Sequence, residues 1–144
     1  MAISVAQVRQ AVAAQVATLS GYHEAKLPPQ YFGRLQDTIA HKAFAVEITR
    51  STAVPERQRR SVGLYLNTFL TVRFAYRLRP MDTYPTDYDL SMDQAAQVLD
   101  KVLQSYSGIR QGLTGKFDSM THRIPEGIEY IIHELNFNFL HTIN

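Results

Sequence analysis

The sequence predicts an α+β fold, a single domain over residues 1–144 with a mostly antiparallel sheet and two main helices on one face. Three observations carry that expectation. Val5, Val8, Val12, Val16 and Leu19 recur at helical intervals near the start. Ala95, Val98, Leu99, Val102, Leu103 and Tyr106 do the same further on. Around the second helix lie stretches in which apolar residues alternate, the mark of half-buried strands. The order is helix, strand, long strand, helix, strand, strand. It folds most economically as one sheet with helices packed on one side.

The first helix is expected over residues 4–19. Ser4 and Gln7 form a capping-box pair, whose side chains satisfy the first free amides, and Gly21 stands where a left-handed cap is needed. Pro28 and Pro29 place a loop next, followed by a short irregular helix at 33–41. Phe44, Val46 and Ile48 alternate with Ala45, Glu47 and Thr49 as a strand. Residues 51–60 are polar and basic, interrupted by Pro55, and read as a loop longer than a hairpin needs. From Val62 to Leu78 every second residue is apolar or Thr, so residues 62–79 predict one strand of roughly 55 Å. Such a strand overhangs its domain or bends at a bulge, and offers edge surface that a lone monomer avoids.

Pro80 ends that strand, and residues 84–89 read as a turn-rich link. Ser91 and Gln94 then cap a second helix that stops at Gly108. Residues 108–115, with three glycines, read as a loop. Lys116–Ile124 and Ile128–Ile143 are strands joined at Pro125-Glu126-Gly127. In the last strand Ile128, Tyr130 and Ile132 are even, whereas Leu135, Phe137 and Phe139 are odd. A bulge near His133–Glu134, or burial of both faces, accounts for the change.

At 144 residues, with 45% hydrophobic and 19% charged side chains, the chain suits one core and not two. That composition excludes disorder, and no apolar run of 18 residues suggests a membrane span. Met1-Ala2-Ile3-Ser4-Val5 lacks the basic start of a secretion signal, so a soluble protein made inside a cell is expected. Without Cys there is no disulfide, thiol nucleophile or Cys-based zinc site.

Charge is uneven. Residues 50–79 hold seven arginines, Arg50, Arg57, Arg59, Arg60, Arg73, Arg77 and Arg79, against Glu56 alone, a local +6. Residues 80–107 hold Asp82, Asp87, Asp89, Asp93 and Asp100 against Lys101, a local −4. A basic block followed by an acidic one suits head-to-tail contact between copies better than it suits a catalytic pocket. Arg73, Arg77, Arg79, Asp82, Asp87 and Asp89 are the candidate interface residues. Arg57, Arg59 and Arg60 lie on a basic loop suited to contacting phosphates without reading sequence, and lack the aromatics that stack single-stranded bases.

Sequence patterns for catalysis are incomplete. His133-Glu134-Leu135-Asn136-Phe137 has Phe where a zinc-protease helix has its second His. His133 and His141 share strand parity but lie about 26 Å apart, and read as exposed or rim residues. Gly112-Leu113-Thr114-Gly115-Lys116 has Arg110 and Phe117 where a phosphate loop has Gly and Ser or Thr. Asp87 and Asp89 lack a partnering His or an apolar pocket, and read as capping and turn residues. Ser51, Ser61 and Ser91 have no glycine elbow. A non-enzymatic protein without cofactor or metal is expected.

Across almost its whole length the chain resembles the tail terminator proteins of long-tailed bacteriophages and related gene-transfer particles. The resemblance lies in the capped helix from Ser4, the strand Phe44–Thr49 and the basic loop at 51–61. It continues with the long strand ending Phe74-Ala75-Tyr76-Arg77-Leu78-Arg79-Pro80, the helix from Ser91 and the closing strand pair. It implies a structural virion protein of the tail–neck region, made in the host cytoplasm. Its copies would form a homohexameric ring that caps the tail tube, stops its growth and receives the neck or head-completion protein. Transient, non-specific contact with double-stranded DNA in the channel is implied, and no membrane. Alternatives are another neck or tail-completion ring protein, or a small-molecule-binding α+β domain.

Overall fold

Ser4 starts the first helix by the reciprocal bonding that its spacing with Gln7 predicts. In a computed structural model, which describes residues 3–26, 41–54, 65–79, 84–109, 113–125 and 129–143, Ser4 Oγ accepts the Gln7 amide at 3.1 Å. Gln7 Oε1 accepts the Ser4 amide at 2.7 Å in return. The helix, α1, spans Val5–Ala17 and buries Val8, Val12, Ala13 and Val16 along one stripe. Gly21 follows with φ of +81°, a left-handed conformation in which a Cβ meets the backbone.

Among the described residues five strands form one sheet. They are β1 (His23–Glu24), β2 (Ala43–Ala53), β3 (Tyr65–Arg77), β4 (Leu113–Arg123) and β5 (Tyr130–Thr142), with α2 at Tyr84–Ile109 between β3 and β4. Their order across the sheet is β1-β2-β3-β5-β4. Every neighbouring pair is antiparallel except β1–β2, which is parallel. β1, only two residues long, is too short to leave a periodic signal in the sequence.

Both helices lie on one face of the sheet. α1 touches α2 and β2, and α2 also covers β4 and β5. On that inner face Phe44 and Val46 of β2, Leu70, Val72 and Phe74 of β3, and Leu135, Phe137 and Phe139 of β5 meet the helix stripes. Burying each large apolar side chain contributes about 1.5–3 kcal/mol, so this layer holds the fold. Leu103 and Met120 close its margin.

The long strand is central rather than an edge. β3 has 13 residues, about 43 Å, and pairs along its entire length with β5 and over Leu66–Phe74 with β2. Its overlong pattern reflects two partners, and among the described residues edge surface falls to β4, to β1 and to the part of β2 beyond its short pairing with β1. Val62 and Leu64 lie outside the described residues, as do Pro28, Pro29 and most of the helix expected at 33–41.

Three local expectations need correction. α2 begins at Tyr84, seven residues before Ser91, because Pro85 falls in the first turn, where amides have no intrahelical acceptor and proline costs nothing. Ser91 is therefore inside the helix, buried, with its hydroxyl donating to the Tyr88 carbonyl at 2.7 Å. β2 runs through Ser51, Thr52 and Ala53, held as strand by pairing with Thr68, Asn67 and Leu66. The sheet is bulged in β2 at Thr49 and in β4 at Asp118, not in β5.

The histidines of β5 are the third. His133 and His141 are fully buried, in phase with Leu135, Phe137 and Phe139. Ile132 is buried on the opposite face in a small cluster with Ala43, Ala45 and Ala75, so burial of both faces explains the parity change. His141 is buried because its ring ties three segments together. Nδ1–H donates to the Ile3 carbonyl at 2.8 Å, which leaves Nε2 to accept the Thr68 hydroxyl at 2.7 Å. Ser51 Oγ lies 2.9 Å from Thr68 Oγ1 and extends the chain to β2.

Candidate subunit interface

β3 releases the chain at Leu78, whose amide donates to the Glu129 carbonyl at 2.9 Å. Arg79 then meets the first turn of α2. Asp87 Oδ2 accepts the Arg79 backbone amide at 2.9 Å and Nε at 3.1 Å, and Oδ1 accepts Nη2 at 2.9 Å. The Asp87 side chain is 4% exposed and that of Arg79 63%, so the carboxylate belongs to the interior and the guanidinium lies over it. A carboxylate in the first turn also suits the positive end of the helix. Beside it His41 packs against Tyr76 with ring centroids 4.6 Å apart, and its Nδ1 accepts the Arg77 amide at 3.0 Å. Burial pushes the His41 imidazole down, helped by Lys42 and Arg77 and opposed by Asp87. Burial and Asp87 push the Tyr76 hydroxyl up.

The outer side of the same turns is apolar and open. Tyr84, Pro85, Tyr88 and Asp89 line a shallow cavity of about 330 Å³, with the two tyrosine rings stacked at 6.3 Å. Leu90 is exposed beside it. Further along α2, Asp93 and Asp100 follow Asp89 on the exposed side, an acidic stripe directed away from the sheet.

The outer face of the sheet has the opposite sign. Arg50 lies 4.3 Å from the centroid of the Phe69 ring, and the next residues in that row are Asn138 and Lys116. Arg50, Arg77, Lys116 and Arg123 are exposed. Glu47 and Glu134, carboxylates on this face, both bind Arg73, the latter at 3.1 Å, and Arg123 stands 3.8 Å from Glu134. Partial burial opposes the Arg73 charge, but the hydrogen bonds to Glu47 and Glu134 outweigh it and hold the guanidinium ionised.

The predicted interface residues therefore divide. Arg73, Arg79 and Asp87 bind partners within the chain. Arg77 and Asp89 are exposed and form no ion pair among the described residues. Asp82, Arg57, Arg59 and Arg60 lie outside the described residues. Sequence reasoning missed the tyrosine cavity, because residues 84–89 were read as a link; Tyr84 and Tyr88, one helical turn apart, were the available signal. It also missed Glu47 and Glu134 as partners of Arg73, a relation that depends on strand register.

Among the described residues no group of three or more His, Asp or Glu side chains is placed to hold a metal ion. No helix there is long and apolar enough to cross a membrane. No protein-family model matches the chain, and no curated protein matches it.

Proposed function

We propose that this chain is a structural ring subunit of the tail terminator kind. Its copies associate head to tail into a homohexamer that caps a virion tail tube, ends its elongation and receives the neck or head-completion protein. One observation carries the reading: charge is separated across the thickness of the domain. Arg50, Arg77, Lys116 and Arg123 are exposed on the outer sheet face, and Asp89, Asp93 and Asp100 on the outer side of α2. Two unlike, complementary faces on one subunit are what a closed heterologous ring requires. Arg57, Arg59 and Arg60 serve the neighbouring ring or the DNA passing through it, as a cationic loop without base-reading groups.

The open cavity at Tyr84 and Tyr88 favours the second reading, a small-molecule-binding domain that works as single copies. Negative-stain electron microscopy of the purified protein, alone and with tail tube protein, separates the two. Sixfold rings that disperse in the variant Asp89→Lys, Asp93→Lys, Asp100→Lys support the ring. Dispersed single copies under both conditions overturn it.

A further inference from the structure

We propose that His122 and His133 form a proton-operated latch holding the end of β4 against β5. The two residues are direct cross-strand partners on the inner face of the sheet. Their Nδ1 atoms lie 2.5 Å apart, so one proton lies between them: one ring donates and the other accepts. The rings differ in setting. His122 is exposed, whereas His133 is fully buried, stacked on Phe74 with centroids 4.9 Å apart. His133 Nε2 is buried and has no hydrogen-bond partner among the described residues.

That orphan atom fixes the favourable protonation state. With the pair neutral, His133 Nδ1–H donates to His122, and Nε2 is left as a bare lone pair, the smaller penalty in an apolar site. A second proton removes this arrangement. If His133 keeps its Nδ1 proton, two N–H groups confront each other across the contact. If it gives that proton up, Nε2 must carry one with no acceptor, at the full desolvation cost of a buried donor. Relief comes from parting the rings, and β4 is the strand free to move, because among the described residues it is an edge paired only with β5. Burial, then the field of His122, push His133 down to about 4, and no other charged or titratable group among the described residues contributes. The packed neighbour from β3 is the uncharged Phe74, and Glu134 and Arg123 lie on the outer face. Acid therefore loosens the edge strand from Met120 to Arg123 while the centre of the sheet keeps its pairing.

Backbone hydrogen exchange of the whole protein at pH 7 and pH 5, corrected for intrinsic rates, tests the latch. Protection of the β4 amides bonded to β5 between Met120 and Arg123 should fall by about tenfold or more, a tenfold change per pH unit being the limit for one proton. Val72 and Phe74 in β3 should stay better protected than the β4 amides at both pH values, which shows that the fold persists. His122→Gln, at an exposed position, and His133→Phe, which keeps the stack on Phe74, should each flatten the pH dependence. An equal fall in wild type and both variants, or no fall in wild type, overturns the proposal.

Discussion

Arg79 holds the buried carboxylate of Asp87 with its backbone amide and two guanidinium nitrogens, at 2.9, 3.1 and 2.9 Å. This contact joins the end of the central strand to the first turn of α2. It also joins the basic and acidic blocks of the sequence within one chain. Asp87→Ala leaves the Arg79 amide without this acceptor and removes a carboxylate from the helix start. Its cost should be about 2 kcal/mol, read from chemical denaturation at neutral pH. Arg79→Ala should cost less, since that side chain is largely exposed and its backbone amide still reaches Asp87.

Acid should destabilise the protein through its buried imidazoles. His133 is lowered from 6.5 to about 4, and burial lowers His141 as well, against the hydrogen bonds to the backbone that raise it. For groups lowered on folding, the unfolded chain binds protons that the native chain refuses in the interval between the two values. Stability is therefore complete above about pH 6.5 and declines as pH falls, by about 1.4 kcal/mol per unit for each such group. For His133 the whole interval amounts to roughly 3 kcal/mol. Denaturation midpoints at pH 7, 6, 5 and 4 check this, and His133→Phe should reduce the slope.

Much of the fold was legible because it rests on periodicity. The stripe from Val5 to Leu19, the Ser4–Gln7 pair and the alternation through Phe74 are local patterns with one structural solution. What was not legible depends on pairing. Whether the alternating stretch around Leu70 was central or an edge is set by β5, a strand more than fifty residues away. The burial of His141 depends on Ile3, at the other end of the chain. Tyr84-Pro85-Thr86-Asp87 carries the residues of both a turn and a helix start, and the contact of Asp87 with Arg79 decides between them. The charge blocks were legible as sums. Which cations stay exposed is a matter of register, since Arg73 meets Glu47 and Glu134 only across strands.

Gly21 should be the best residue at its position for conformational reasons. Its φ of +81° costs an L-residue roughly 1–2 kcal/mol, and an added Cβ would lie 3.3 Å from Lys42 Cδ. That neighbour is the middle of a flexible side chain, so strain in the backbone sets the penalty. Gly21→Ala should lower stability by about 1 kcal/mol, and Gly21→Asn by less, as measured by thermal unfolding.

The basic segment proposed to serve partners should be separable from folding. Replacing Arg57, Arg59 and Arg60 together with Gln should leave stability within about 1 kcal/mol, as surface changes do. The same variant should bind tail tube or neck protein more weakly in pull-down assays. A variant that unfolds marks the arginines as structural, and one that joins its partners normally marks them as merely solvated.

Native mass spectrometry of the purified protein, at low and moderate salt and with tail tube protein added, tests the central claim most directly. The account predicts a homohexamer whose population falls as salt screens the contact between the acidic side of α2 and the basic sheet face. A monomer at every concentration, with and without the tube protein, would contradict it.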